Sequence, residues 1–96
     1  MKKNQNVDSM DELLEALLSI KDKNEMARFL KDLCTPQELN AFVERWRVCK
    51  LLNKGDLSYR EISALTGASL ATITRVSRFL KDEPHHGYRS VLKKVS

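Results

Sequence analysis

At 96 residues, 42% of them apolar, the chain has room for one small domain, and a helical chain this short and this apolar points to a core shared between two copies. Seventeen Lys and Arg against thirteen Asp and Glu leave a formal charge of +4, which favours a polyanion partner. No apolar run approaches the roughly 20 residues that span a bilayer, residues 1–10 lack the apolar core of a secretion signal, and no Ser-His-Asp, Cys-His, paired-carboxylate or Gly-rich phosphate-loop pattern is present. A membrane protein and an enzyme are therefore excluded, and a cytoplasmic location is expected.

Residues 1–8 are polar and expected to be disordered, leaving 9–96 as a single domain. Ser9 with Glu12 reads as a capping box. Met10, Leu13, Leu14, Leu17 and Leu18 then recur at the spacing of an amphipathic helix that ends near Ile20. Such a leucine stripe serves an internal core or crosses to a second subunit. Asp22 or Asn24 caps a second helix carrying Met26, Phe29, Leu30 and Leu33. Thr35, Pro36 and Glu38 supply a cap, a first-turn proline and a capping-box acid for a third helix over 36–53. Its apolar side, from Leu39 through Phe42, Val43, Trp46 and Cys49 to Leu52, is broad enough to need more than one neighbour. Gly55 is its expected C-cap. Cys34 and Cys49 read as buried thiols in a reducing compartment. With no Cys-x-x-Cys pair, no zinc site joining them to His85 and His86 is expected.

The stretch 58–81, SYREISALTGASLATITRVSRFLK, predicts two short helices around a tight turn. Ser58 and Glu61 form another capping box, Gly67 supplies the positive φ that the turn needs, and Ser69 caps the second helix. Ile62 and Leu65 give the first helix an apolar side, and Leu70, Ile73, Val76 or Ser77, and Leu80 recur at helical spacing along the second. An ordinary helical hairpin has the same turn. The Thr, Ser and Arg residues outside favour a helix-turn-helix whose second helix enters the major groove. A protein-interaction module that reuses the scaffold is the alternative. Residues 82–84, Asp-Glu-Pro, stop the pair and start a last helix with Tyr88, Val91, Leu92 and Val95 on one side and Arg89, Lys93 and Lys94 on the other. Six helices and no strand make the chain all-α.

From Thr35 to Lys81 the chain resembles the tryptophan repressor family. The resemblance rests on Thr35-Pro36-x-Glu38, Arg45-x-Arg47, Leu51-Leu52-x-x-Gly55, Ser58-x-Arg60-Glu61 and, most specifically, Gly67-Ala68-x-x-Ala71-Thr72-Ile73-Thr74-Arg75. It looks like the shorter, repressor-like branch rather than the namesake. The resemblance implies a six-helix intertwined homodimer with a projecting helix-turn-helix, which binds double-stranded DNA at a roughly palindromic operator and represses transcription. Arg60 matches a base-contacting arginine. Ser69, Leu70, Ala71, Thr72 and Thr74 match the reading helix's groove- and phosphate-facing positions, with Lys81 a further phosphate contact. Ser63 stands where the family often has a longer basic residue. Arg78 is an additional charge without a matching role.

The namesake holds tryptophan between two arginines with a threonine nearby, and Arg45, Arg75 and Thr35 match those positions. Arg75 serves equally as a phosphate contact. Val76 replaces a glycine of the namesake and Phe79 a serine, and both add bulk at the ligand's place. Overpacking costs on the order of 1–3 kcal/mol even in adaptable cores. No cofactor is therefore expected, and L-tryptophan is not the expected ligand. A different small-molecule effector is the alternative.

Overall fold

Short polar side chains write most of the helix starts in this protein. The computed structural model describes residues 5–95, with side chains from Ser9 to Val95, and among them lie six α-helices and no strand. In order these are α1 (Gln5–Leu18), α2 (Lys23–Leu33), α3 (Pro36–Lys54), α4 (Tyr59–Thr66), α5 (Leu70–Lys81) and α6 (Gly87–Val95). Asp22 caps α2 by accepting from the Glu25 amide at 2.8 Å. At α3 the Thr35 hydroxyl accepts from the Glu38 amide at 3.1 Å while the Glu38 carboxylate accepts from the Thr35 amide at 2.8 Å. This exchange satisfies two donors that a helix start leaves unpaired. Gly55, at φ 83°, ends α3 by donating to the Leu51 carbonyl.

Two starts differ from the sequence expectation. Ser9 lies inside α1, not at its cap, because the helix begins at Gln5. Nothing between Gln5 and Ser9 is Gly or Pro, so no local signal stops the helix from extending past the serine. The last helix begins at Gly87 rather than at Pro84. The Glu83 amide turns back to the Arg78 carbonyl at 3.1 Å, and His86 takes a left-handed φ of 58°, so the chain needs five residues to reverse.

The chain divides into two units, one up to Leu39 and one from Asn40. In the first, no described residue is buried. Leu17, Ile20, Met26, Phe29, Leu30 and Leu39 are half-buried, and Leu18 is 83% exposed. In the second, Val48 and Cys49 of α3, Ile62 of α4, Ala68 of the turn, Ile73, Val76 and Leu80 of α5, and Leu92 of α6 form one core. Each aliphatic side chain of that size contributes about 1.5–3 kcal/mol on burial. Trp46, Leu51, Leu52, Leu57 and Tyr88 pack around its edge. Phe42 and Val43, in the third helix's apolar side, stay exposed. No helix among the described residues is long and apolar enough to cross a membrane.

Candidate nucleic-acid interface

The core of the second unit carries α4 and α5 as a braced pair. Ser58 caps α4 in a reciprocal exchange with Glu61, at 3.1 Å for the Glu61 amide and 2.8 Å for the Ser58 amide. Gly67 closes α4 at φ 79°, a conformation that costs other residues about 1–2 kcal/mol. Ala68 then turns inward, 1% exposed and part of the core. Three side-chain bonds fasten the turn. The Ser63 hydroxyl donates to the Ala68 carbonyl at 2.7 Å, the Thr66 hydroxyl donates to the Ile62 carbonyl at 2.8 Å, and the Ala68 amide donates to Thr66 Oγ1 at 3.1 Å. Across the pair, the Tyr59 hydroxyl donates to Ser77 Oγ at 2.7 Å, which provides for the polar atom of the buried Ser77.

The inner face of α5, Ile73, Val76, Ser77 and Leu80, is therefore fixed, and the opposite face of its first turns is open. Ser69 caps the helix through the Thr72 amide at 3.1 Å and also donates to Thr72 Oγ1 at 3.2 Å. Leu70, 57% exposed, Ala71, Thr74 and Arg75 lie on the outside, with Thr72 half-buried. Arg60, the second residue of α4, and Lys81, the last of α5, are also exposed. The described fold thus leaves Arg60, Ser69, Leu70, Ala71, Thr74, Arg75 and Lys81 accessible. Ser63 differs: its hydroxyl hydrogen is committed to the turn, so it braces the pair.

Of the residues matched to an effector pocket, three line one groove of the second unit. Arg45, Arg75 and Phe79 come together in an open groove of about 490 Å³ between α3, α5 and α6, completed by Trp46, His85, Gly87, Tyr88 and Val91. The Arg75 guanidinium lies 4.4 Å from the Phe79 ring centroid and Arg78 lies 5.0 Å from it. His85 stacks on that ring at 5.9 Å with 8° between planes. Arg45 lies over Phe42 at 5.8 Å. Burial pushes the Tyr88 hydroxyl above its ordinary value, Cys49 adds to that, and the Arg45 and Arg75 guanidinia pull it back. Val76 is wholly inside the core, in one cluster with Ile62 and Ile73, and is not among the residues that line the groove. Its bulk therefore stabilises the core, and a hollow remains beside Phe79. Thr35 belongs to the other unit, where it caps α3.

Sequence reasoning missed the contacts that hold the far end of α5. Arg78 pairs with Glu83 at 3.5 Å. Arg89 of α6 donates through Nε to the Leu80 carbonyl at 2.8 Å and through Nη2 to the Lys81 carbonyl at 3.1 Å. Arginine in the last helix carried no signal beyond its charge. No cluster of three or more His, Cys, Asp or Glu among the described residues is placed to hold a metal ion.

The sequence that builds this capped helix pair with its left-handed glycine turn is matched by the Trp repressor protein family model over residues 8–96. The chain belongs to the Trp repressor family. It is 44% identical over 71 residues to the Bacillus subtilis protein YerC, covering 74% of this chain and 67% of that one. It is 39% identical over 70 residues to the Trp operon repressor homolog of Aliivibrio salmonicida, covering 73% and 65%. The matches thus span about two thirds of the length of these relatives. The crystal structure of a TrpR-like protein from Eubacterium eligens matches with a TM-score of 0.84 at 37% identity, over 98% of this chain and 92% of the other. Membership makes a DNA-binding regulator the expected role, and the family's members are regulators rather than enzymes.

Proposed function

We propose that this protein is a sequence-specific transcriptional repressor that reads a roughly palindromic operator as an intertwined homodimer in the bacterial cytoplasm. The observation that carries the reading is the outward first half of α5, rigidly backed by a core and by the Tyr59–Ser77 bond, with Arg60 exposed at the start of α4. Arg60 is suited to guanine, whose O6 and N7 accept both arms of a guanidinium. Leu70 and Ala71 suit thymine methyl groups. Ser69, Thr72, Thr74, Arg75 and Lys81 suit phosphates, which fix register without specifying sequence. The uncovered apolar side chains of α1, Leu13, Leu14 and Leu18 among them, support a second copy as the partner. Two heads on a two-fold axis then meet major grooves roughly 34 Å apart.

Selection from a random-sequence DNA library, followed by gel shifts at low and moderate salt, tests this. The expected result is a two-fold-related site whose affinity falls steeply with salt. No shift at either salt would point instead to a protein-interaction module. Arg60→Ala is expected to lose about 1–3 kcal/mol on the selected site and to relax base preference at one position of each half-site.

The groove between Arg45 and Arg75 favours a second element of the reading, an effector other than tryptophan. Phe79 and His85 already lie under and beside Arg75, where a planar ligand would otherwise stack. Calorimetry against L-tryptophan is expected to give no micromolar binding, and clear micromolar heat would overturn this part.

A further inference from the structure

An α-helix leaves its last four carbonyls without partners inside the helix. For α5 these belong to Arg78, Phe79, Leu80 and Lys81. The Arg78 carbonyl accepts from the Asp82 and Glu83 amides at 2.8 and 3.1 Å. The Leu80 and Lys81 carbonyls accept from one side chain, Arg89, which reaches back from α6. A guanidinium there also meets the negative end of the helix dipole. Three residues further along α6, Leu92 is buried in the same core as Leu80. The stem that presents Arg89 is thus anchored in the core that seats α5.

The connection between the two helices repeats the grip. Glu83 pairs with Arg78 and His85 stacks on Phe79. Each bond of residues 82–89 named here returns to the last four residues of α5. The first turn of α5, from Leu70, is held by the Ser69 cap. Twelve residues at 1.5 Å per residue place the clasped and outward ends roughly 18 Å apart.

Building on the DNA-reading function above, we propose that Arg89 is a positioning residue for DNA recognition. It touches no DNA. By tying the C-terminal carbonyls of α5 to α6 it fixes the tilt at which the helix presents Leu70, Ala71 and Thr74. The bidentate fork sets that tilt, since one planar group must satisfy two successive carbonyls at once. A lysine, a point charge on a flexible stem, cannot hold both in a fixed geometry.

The test compares full-length wild type, Arg89→Ala, Arg89→Lys and Lys81→Ala on the selected operator and on random duplex over a range of salt, alongside amide exchange along α5. Arg89→Ala is expected to weaken operator binding about tenfold and random duplex far less, with an unchanged salt slope. Amides at the end of α5 exchange faster. Arg89→Lys falls between it and wild type. Lys81→Ala instead weakens both duplexes alike and lowers the salt slope by about one. Unchanged operator affinity in Arg89→Ala would overturn the proposal. So would an equal loss on both duplexes with a lower salt slope, which would make Arg89 a phosphate contact. Should Arg89→Ala not fold, Arg89→Lys carries the same comparison. If wild type binds no DNA at all, the reading above fails; exchange at the end of α5 that is unaltered in Arg89→Ala would then sink the clasp as well.

Discussion

The two units of this chain are built to opposite plans. Up to Leu39 there are six Lys and Arg against eight Asp and Glu, a formal charge of −2, and no described residue is buried. From Asn40 onward there are eleven against five, a charge of +6, and the whole core is found there. A segment with an amphipathic leucine stripe and no core of its own cannot offset the entropy of ordering its helices, which is about 1–2 kcal/mol per residue for the backbone alone. It needs a surface to cover it. The second unit has the reverse character, a sealed interior and a basic exterior, which suits a rigid reader of a polyanion. Charge and burial divide the proposed tasks of assembly and recognition at the same point in the chain.

The largest effect is expected from breaking the first half of that contrast. Leu14, exposed on α1, changed to Asp places a charge in the stripe that a second copy is proposed to cover. Light scattering after gel filtration should give two chains for the wild type and one for Leu14→Asp, with loss of the concentration dependence of melting that an associating protein shows. A wild type that runs as a single chain at all concentrations would leave the apolar face of α1 unexplained. The sealed interior is broken next by Ile62→Ala, which removes a fully buried side chain beneath the turn. Truncations of that kind cost about 2–5 kcal/mol, and chemical denaturation measures the loss. A cost below about 1 kcal/mol would mean that the core is not seated where Ile62, Ile73 and Val76 meet.

Alkaline pH sharpens the same contrast without a substitution. Burial pushes the Cys49 thiol from 9.0 to about 11, and Tyr88 beside it is raised too. Both groups are held neutral by the fold; the Cys49 contribution is complete below pH 9 and disappears as pH rises through about 11, and Tyr88 acts in the same direction. Unfolding monitored between pH 8 and 11 should show stability falling over that window, by up to about 2–3 kcal/mol from Cys49. Cys49→Ala should flatten the slope while costing some packing. A slope that is the same in both proteins would remove Cys49 as its source.

Much of the second unit was legible because its signals are local. Ser58 with Glu61, Gly67, and Ser69 each act within four residues, and each occupies the predicted role. The capping box at Thr35 and Glu38 is local in the same way. Ser9 misled because a capping pattern also fits a helix interior, and nothing before it breaks the helix. Val76 was assigned to a ligand wall because the resemblance matches it to a glycine of the namesake, but its burial in the core depends on Ile62 and Val48, far off in sequence. Arg89 and His85 were out of reach for a related reason. Their partners lie eight or nine and six residues away across a reversal that itself rests on a left-handed histidine. Whether an arginine caps a neighbouring helix depends on that reversal, and the sequence expectation had placed it at Pro84.

The smallest effect tests whether the reading head is held as one piece. The Tyr59 hydroxyl, at the start of α4, reaches Ser77 near the end of α5 at 2.7 Å, and Ser77 is 7% exposed. Tyr59→Phe keeps the ring and its packing and removes one donor, leaving the buried hydroxyl of Ser77 without that partner. A single intramolecular hydrogen bond of this sort contributes about 0.5–1.5 kcal/mol. Tyr59 is itself partly exposed, so water can replace part of the bond, and the lower half of that range is the expectation. Stability and operator affinity should fall together, since the bond ties the helix that carries Arg60 to the helix that carries Leu70 and Thr74. In the double variant Tyr59→Phe/Ser77→Ala the unpaired buried hydroxyl is gone as well, and much of the lost stability should return. Operator affinity should stay low, because the tie between the helices is still missing. If affinity recovers together with stability, the bond serves only the fold, and the two helices keep their mutual angle through the core alone.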